Sequence, residues 1–340
     1  MQTKTIAIIG AGPAGMEASA SLAKLGHQVV LIEKKASTGG HLNNWHHLFP
    51  DRRPAKELLQ KLKQEVNHSN IEVMVNTAVH EVKQNDYRYE LVLSEKNVIN
   101  ANAVLITTGF ELFDAAKKEE YGYGIYNQVI TNSDLEQLFQ ADNLAAQFKK
   151  PVKRVAFVHC VGSRDAKVNN HYCSKVCCVT AVKQSIEFKE RMPETEVFCF
   201  YMDMRMFGPY YEELYREAQE KWGIVFIRGK ISEASQTRDG SLQIKAEDTL
   251  ASKPLRMNTD LLVLMAGMVP AEGNEHISRQ FKLAIGDNRF FKSKDNHFDN
   301  QLSDTPGVFL AGACLAPMNI TDTISQARAA ALRIHEYLTN

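Results

Sequence analysis

The chain has 340 residues, 44% of them hydrophobic, enough for two or three domains with sizeable cores. Its 40 basic and 40 acidic residues cancel, which removes the electrostatic case for nucleic acid or an anionic membrane as main partner. The longest apolar runs, such as LLVLMAG at 261–267, are too short to span a bilayer, and the opening MQTKTIAIIG runs straight into a strand. The expectation is a cytoplasmic protein with no transmembrane segment or secretory signal. In such a reducing compartment clustered cysteines point to metal or redox chemistry more than to disulfides.

Residues 4–9 (KTIAII) predict a short apolar strand. A glycine-rich turn follows, then a helical pattern through Leu25 and a second strand at 28–32, which makes a β-α-β unit. Gly39 and Gly40 start a loop, and Pro54 begins a helix to about Val66. Strands are expected near 71–75, 87–93 and 103–106, the last ending in Thr107-Thr108-Gly109. Residues 111–150 are polar and less regular. Beyond Pro151 the pattern gives a strand (VKRVAFVH), a helix from about Cys173 to Arg191, a strand (VFCFYM), a helix at 210–221 and a strand (GIVFI). A strand ending near 267 closes this second α/β unit, and PGVFLAGAC leads into a helix from about Asn319 to Leu338. No fixed-period repeat or low-complexity tract appears. The fold class predicted is α/β, with two Rossmann-like doubly wound domains. The first is discontinuous, residues 1–115 and 271–340; residues 116–150 connect it to the second, residues 151–270.

GAGPAG sets Gly10, Gly12 and Gly15, with Pro13 and Ala14, in the G-x-G-x-x-G arrangement. The glycines permit a tight turn and close approach of a pyrophosphate, and the helix N-terminus offers unpaired N–H groups. Glu33 closes the next strand, where its carboxylate can accept bonds from ribose hydroxyls. The glycines alone are a weak signal, because a glycine turn also simply packs a helix on a sheet. Strand, turn, helix, strand and acid in this order make it strong.

Glu33 followed by Gly39-Gly40, TTG at 107–109 and TPGVFLAG at 305–312 resemble the two-dinucleotide-binding flavoprotein family, which includes thioredoxin and glutathione reductases. The resemblance implies FAD. In that family the C-terminal strand returns beneath the flavin, and the next helix N-terminus faces its pyrimidine end, favouring an anionic reduced flavin. The matching positions are Gly312, Ala313, Ile320 and Thr321. Val79 matches the residue whose backbone reaches the adenine, with an ordinary strand valine as the competing reading. Lys34, Gly40, His41, Thr108 and Gly109 complete the implied FAD set. The family usually has Gly-Asp at the last strand end, the acid holding the ribityl chain; Gly312-Ala313 departs from it.

The second domain's first strand ends at His159-Cys160, where the turn of a pyridine-nucleotide domain would begin. Only Gly162 is offered, and one glycine does not reproduce the double close approach a pyrophosphate needs. Instead Cys160, Cys173, Cys177 and Cys178 follow in the spacing C-x12-C-x3-C-C, the last three expected at a helix start where the dipole favours thiolates. Four thiolates suit an iron–sulfur cluster. Zinc also takes four, usually in paired C-x2–4-C spacing. A catalytic dithiol is a third reading, though no C-x-x-C is present, and small buried apolar residues are a fourth.

HCVGSRD…YCSKVCC resembles the core of the A subunit of heterodisulfide reductase. So do FDAAKKEEYGYGIYNQVITN at 113–132, YMDMRMFGPYYEELYREAQ at 201–219, FIRG at 226–229 and DTISQARAAA at 322–331. The resemblance covers nearly the whole chain. It implies Cys160, Cys173, Cys177 and Cys178 as ligands of a 4Fe-4S cluster beside FAD. Longer members carry ferredoxin-like C-x2-C-x2-C-x3-C runs; none occurs here, so one cluster is expected. The short form it resembles occurs in heterodisulfide-reductase-like complexes, including those implicated in cytoplasmic sulfur oxidation. The implied function is an electron-transfer oxidoreductase subunit with catalytic residues unassigned. Implied partners are B and C type subunits or another electron carrier, with a homodimer as a further implication. An NAD(P)H-dependent flavoprotein disulfide or persulfide reductase, using Cys177 or Cys178 as redox thiols, is the alternative. A scaffolding subunit with structural FAD is the second alternative.

Among the remaining residues, Cys199 and Cys314 read as packing, and Trp45, His46 and His47 as loop packing beside His41. His159 adjoins a ligand position, where a hydrogen bond tunes a cluster, against an ordinary strand-end histidine. Arg164 and Arg205 either offset cofactor charge or pair at the surface.

Overall fold

The computed structural model describes residues 4–85, 88–94 and 97–339. Continuous apolar strands without polar alternation suit parallel sheets covered on both faces. Ile6, Ala7, Ile8, Val104, Leu105 and Ile106 are accordingly fully buried. Thr5–Ile9 pairs in parallel with Gln28–Ile32 and with Ala103–Ile106. Ile71–Met74 and Val308–Leu310 form the two edges of this five-stranded sheet. Pro13–Lys24 packs on the long helix Ile320–Thr339.

A second five-stranded parallel sheet runs in the order Val225–Arg228, Glu196–Tyr201, Arg154–Val161, Leu261–Ala266, Val129–Thr131. The helix Cys177–Arg191 packs on its central strands. The chain divides into two compact units, residues 1–43, 56–111 and 269–340, and residues 44–55 and 112–268. Residues 116–150, expected as a connection, lie within the second unit and supply the strand Val129–Thr131 and the helix Asn132–Leu138. That helix opens on a capping box, Thr131 Oγ1 accepting from Asp134 N while the Asp134 side chain accepts from Thr131 N.

Two three-stranded antiparallel sheets accompany the parallel ones. One, Val79–Asn85 with Arg88–Leu93 and Val98–Ala101, includes the strand expected at 87–93, whose first residue, Tyr87, lies outside the described residues. The other, Ile231–Gln236 with Leu242–Asp248 and Lys253–Thr259, was not anticipated. Its signal is the alternation of buried Leu242, Ile244 and Ala246 with Gln243 and Lys245.

One expectation is corrected. The helix begins at Cys177, not near Cys173, so two cysteines rather than three stand in its first turn. Lys175 holds a left-handed backbone (φ 62°) that cannot continue a helix. Ser174 is tied into the loop by its hydroxyl, 3.0 Å from Ser163 Oγ and 2.8 Å from Met268 N.

Candidate functional site

In the first unit the three turn glycines do different work. A Cβ on Gly15 would lie 1.9 Å from Gly10 O, and one on Gly10 would lie 2.5 Å from Thr107 O. Both are therefore demanded by packing. Around Gly12 a Cβ would meet nothing within 4 Å, and its backbone (φ −75°) suits any residue. The hollow above Gly12 faces a helix start with Pro13 in its first turn and no side-chain cap, the arrangement that receives a phosphate. Thr107, part of the TTG run but not of the expected FAD set, braces the turn through its hydroxyl at 2.7 Å from Gly10 O and 3.1 Å from Ile9 O. Gly39 N donates to Ala11 O at 2.7 Å, and a Cβ on Gly40 would stand 3.2 Å from Gly12 Cα.

Beside the turn lies a cavity of about 270 Å³, with Gly10, Glu33, Lys34, Val79, Thr108 and Gly273 in its wall. The buried Glu33 carboxylate accepts from Ala11 N at 2.8 Å and Lys35 N at 2.9 Å. A carboxylate has about four acceptor sites, so capacity remains for ribose hydroxyls. Thr108 Oγ1 donates to Asn274 Oδ1 at 2.7 Å, while Asn274 Nδ2 is buried without a partner. The spare acceptor capacity of Glu33 in the cavity wall and the open space at Gly12 fit an adenosine diphosphate moiety.

The other expected FAD positions are distributed around this turn. Gly312 (φ +82°) packs on Ala14, where a Cβ would come within 2.9 Å of the Ala14 methyl. In place of the family acid, Gln326 Oε1 accepts from Gly312 N at 2.7 Å. Ala313 is buried. Ile320 opens the last helix with Thr321 behind it, and Asn319 Oδ1 accepts from Asp322 N at 2.7 Å. Gly109 adopts φ +70° with open space above it. His41 does not line the cavity; its ring stacks on Phe110 at 4.3 Å, with Nε2 2.9 Å from Phe110 O, and burial lowers its pKa. Cys314 is a packing thiol: it donates to Ala311 O at 3.2 Å, and burial pushes it up to about 12.

In the second unit, Cys160, Cys177 and Cys178 are buried in one core, with Cys177 within hydrogen-bonding reach of the other two. The Cys177 thiol serves its two neighbours. Its own pKa is raised by those hydrogen bonds and by burial, whereas Cys160 falls to about 7 and Cys178 to about 4 chiefly through Cys177. Burial opposes His159's charged form, yet the Cys178 and Cys199 thiols raise it to about 10. Cys173 accepts from Lys175 N at 3.3 Å, and the Arg164 side chain lies within electrostatic reach of both Cys160 and Cys173. Arg164 Nη2 donates to Asp203 at 2.7 Å, whereas Arg205 serves Cys178 with its backbone rather than its guanidinium. Cys160 (φ 60°), Arg164 (φ 55°) and Lys175 (φ 62°) all hold left-handed backbone, strain of the kind that collects at functional loops.

A Cβ on Gly162 would fall 2.0 Å from the Phe113 ring, so the ring packs directly against this turn, in contrast to the open space at Gly12. Among the described residues no three His, Cys, Asp or Glu side chains are arranged to hold a metal ion. The four thiols, one at a strand end, one in the loop after it and two at a helix start, are donors of the type that bind an iron–sulfur cluster.

Residues 3–140 match the family described as pyridine nucleotide-disulphide oxidoreductase. The fold is that of thioredoxin reductase from T. acidophilum (TM-score 0.67, 17% identity, 100% of both chains). The Lactococcus lactis enzyme is similar in fold too (TM-score 0.69, 17% identity, 99% of both chains). The fold class is therefore that of a two-domain, thioredoxin-reductase-like Rossmann protein. By sequence the chain is similar to A subunits of heterodisulfide reductase. It is 30% identical over 417 residues to the iron-sulfur A subunit of the CoB--CoM heterodisulfide reductase of Methanocaldococcus jannaschii, covering 96% of this chain and 63% of the relative. It is 31% identical to the A subunit of the ferredoxin/F(420)H(2)-dependent CoB-CoM heterodisulfide reductase of Methanosarcina acetivorans, over 99% of this chain and 53% of that one. The chain thus spans between half and two thirds of the length of these relatives. No described helix is long and apolar enough to cross a membrane.

Proposed function

We propose that the chain is an FAD- and 4Fe-4S-containing electron-transfer subunit of a heterodisulfide-reductase-like complex in cytoplasmic sulfur or thiol–disulfide metabolism. Its partners are B and C type subunits or another electron carrier. The contrast between the two turns carries this reading. Space is open at Gly12, while Gly162 is closed by Phe113 and flanked by thiols. The name of the M. jannaschii relative, an iron-sulfur subunit, supports it.

In this reading the first unit holds FAD and the second holds the cluster. The glycine turn and helix start at Pro13 bind the pyrophosphate, Glu33 orients the ribose, and Val79 walls the adenine side. Cys160, Cys173, Cys177 and Cys178 hold the cluster, with Arg164 and the Arg205 backbone offsetting thiolate charge. When bound, flavin exchanges electron pairs and the cluster single electrons. Burial of three of the thiols excludes water from the sulfur donors.

Protein purified anaerobically should contain FAD and about four irons with matching acid-labile sulfide per chain, as one cube requires. Zinc without sulfide would reject the cluster, and rapid flavin bleaching by NADH in the isolated chain would favour a pyridine-nucleotide reductase instead.

A further inference from the structure

His159 and Cys160 are consecutive, so in a regular strand they would face opposite sides of the sheet. The register against Leu261–Ala266 prevents this. It runs Val158 opposite Leu264, then Val161 opposite Ala266, so His159 and Cys160 share the position opposite Met265. A bulge of this kind re-aims side chains. On the other side of the strand, Phe157 pairs with Cys199, and His159, two residues on, shares that face. Cys160, Cys178 and Cys199 fall within one buried cluster.

The His159 ring is buried, with 6% of its surface exposed, and neither ring nitrogen has a hydrogen-bond partner of ordinary geometry. The polar groups beside it are the Cys178 and Cys199 thiols. A buried imidazole with both nitrogens unmatched is costly in isolation, and native structures rarely keep one without a use. We propose that His159 is a positioning residue: it donates one ring N–H to the Cys178 sulfur, while its other ring N–H is held by the Cys199 sulfur behind it, which fixes the ring's orientation. This rests on the cluster reading above and adds to it a non-ligand pair, His159 and Cys199. Hydrogen bonds to a ligand sulfur stabilise the more negative, reduced state and raise the reduction potential.

The test uses anaerobically purified chain labelled with 15N-histidine. In pulsed EPR of the reduced wild type, a histidine nitrogen and an exchangeable proton should couple to the cluster. His159→Leu should keep its iron while its midpoint potential falls. His159→Gln, whose amide N–H can reach the sulfur, should recover part of that drop. Wild type without iron and sulfide would overturn the proposed function. A cluster with no histidine coupling overturns the role of His159 alone, as does one whose potential and g values are unchanged in His159→Leu. If the leucine variant does not fold, the wild-type coupling decides.

Discussion

Lys183 Nζ donates to the carbonyl oxygen of His47 at 3.0 Å, anchoring residues 44–55 in the second unit although both flanks of that segment belong to the first. Lys183 is 1% exposed and pairs with the buried Glu136 and, at 3.3 Å, with Glu187. His47 Nδ1 lies 2.6 Å from the other Glu187 oxygen, and Gln184 Nε2 lies 2.7 Å from Glu136. Breaking a buried pair by removing one partner strands a charge, which costs about 3–5 kcal/mol. Lys183→Met should therefore lower the denaturation midpoint strongly, and adding Glu136→Leu should restore part of it. A loss of less than about 1 kcal/mol, the range of an exposed pair, would show that the charges are not buried as described.

The turn glycines give a paired prediction. Gly12→Ala meets empty space, so stability should hold within roughly 0.5 kcal/mol. Yet the added methyl occupies the hollow, and overpacking of about 1–3 kcal/mol weakens FAD retention by roughly 5- to 150-fold. Gly15→Ala, with its Cβ 1.9 Å from a carbonyl oxygen, should instead destabilise the fold. Flavin retained per folded chain, alongside thermal midpoints, separates the two. Equal flavin retention in Gly12→Ala and wild type would place the cofactor elsewhere.

Two buried cysteines in the same core should part company on substitution. Cys178 adjoins Cys177, whereas Cys199 sits on the neighbouring strand opposite Phe157. Cys178→Ala should lose most of the iron, and Cys199→Ala should keep it. Iron and sulfide assays on both decide, and iron loss from Cys199→Ala alone would contradict the ligand set.

Acidification should weaken the fold before any carboxylate titrates. His27, His41 and His46 all have pKa values lowered from 6.5, each first by burial. His27 is further opposed by His335, whose Nδ1 lies 2.8 Å from its Nε2. As pH falls through 6.5 the unfolded chain takes up protons that the folded chain still refuses. The stability these groups contribute is therefore present above 6.5 and lost below it. In a His159→Leu background, which removes a buried histidine of raised pKa and opposite sign, the urea midpoint should fall between pH 7.5 and 5.5, and adding His27→Gln with His41→Asn should flatten that slope. A midpoint that rises on acidification would contradict the expected sign.

Sequence alone determined the elements whose cause is local. The run TIAII, the glycines after it and the acid closing QVVLI define a nucleotide turn within some thirty residues, because strand burial and turn geometry depend on near neighbours. Spacing likewise marked Cys160, Cys173, Cys177 and Cys178 as one group. Tertiary structure decided the rest. Phe113 fills the space above Gly162, the bulge opposite Met265 brings His159 and Cys160 to one position, and Lys183 draws 44–55 into the second unit. Each of these is a contact between residues far apart in the chain, set by sheet register and side-chain packing, which no local pattern of residue types encodes.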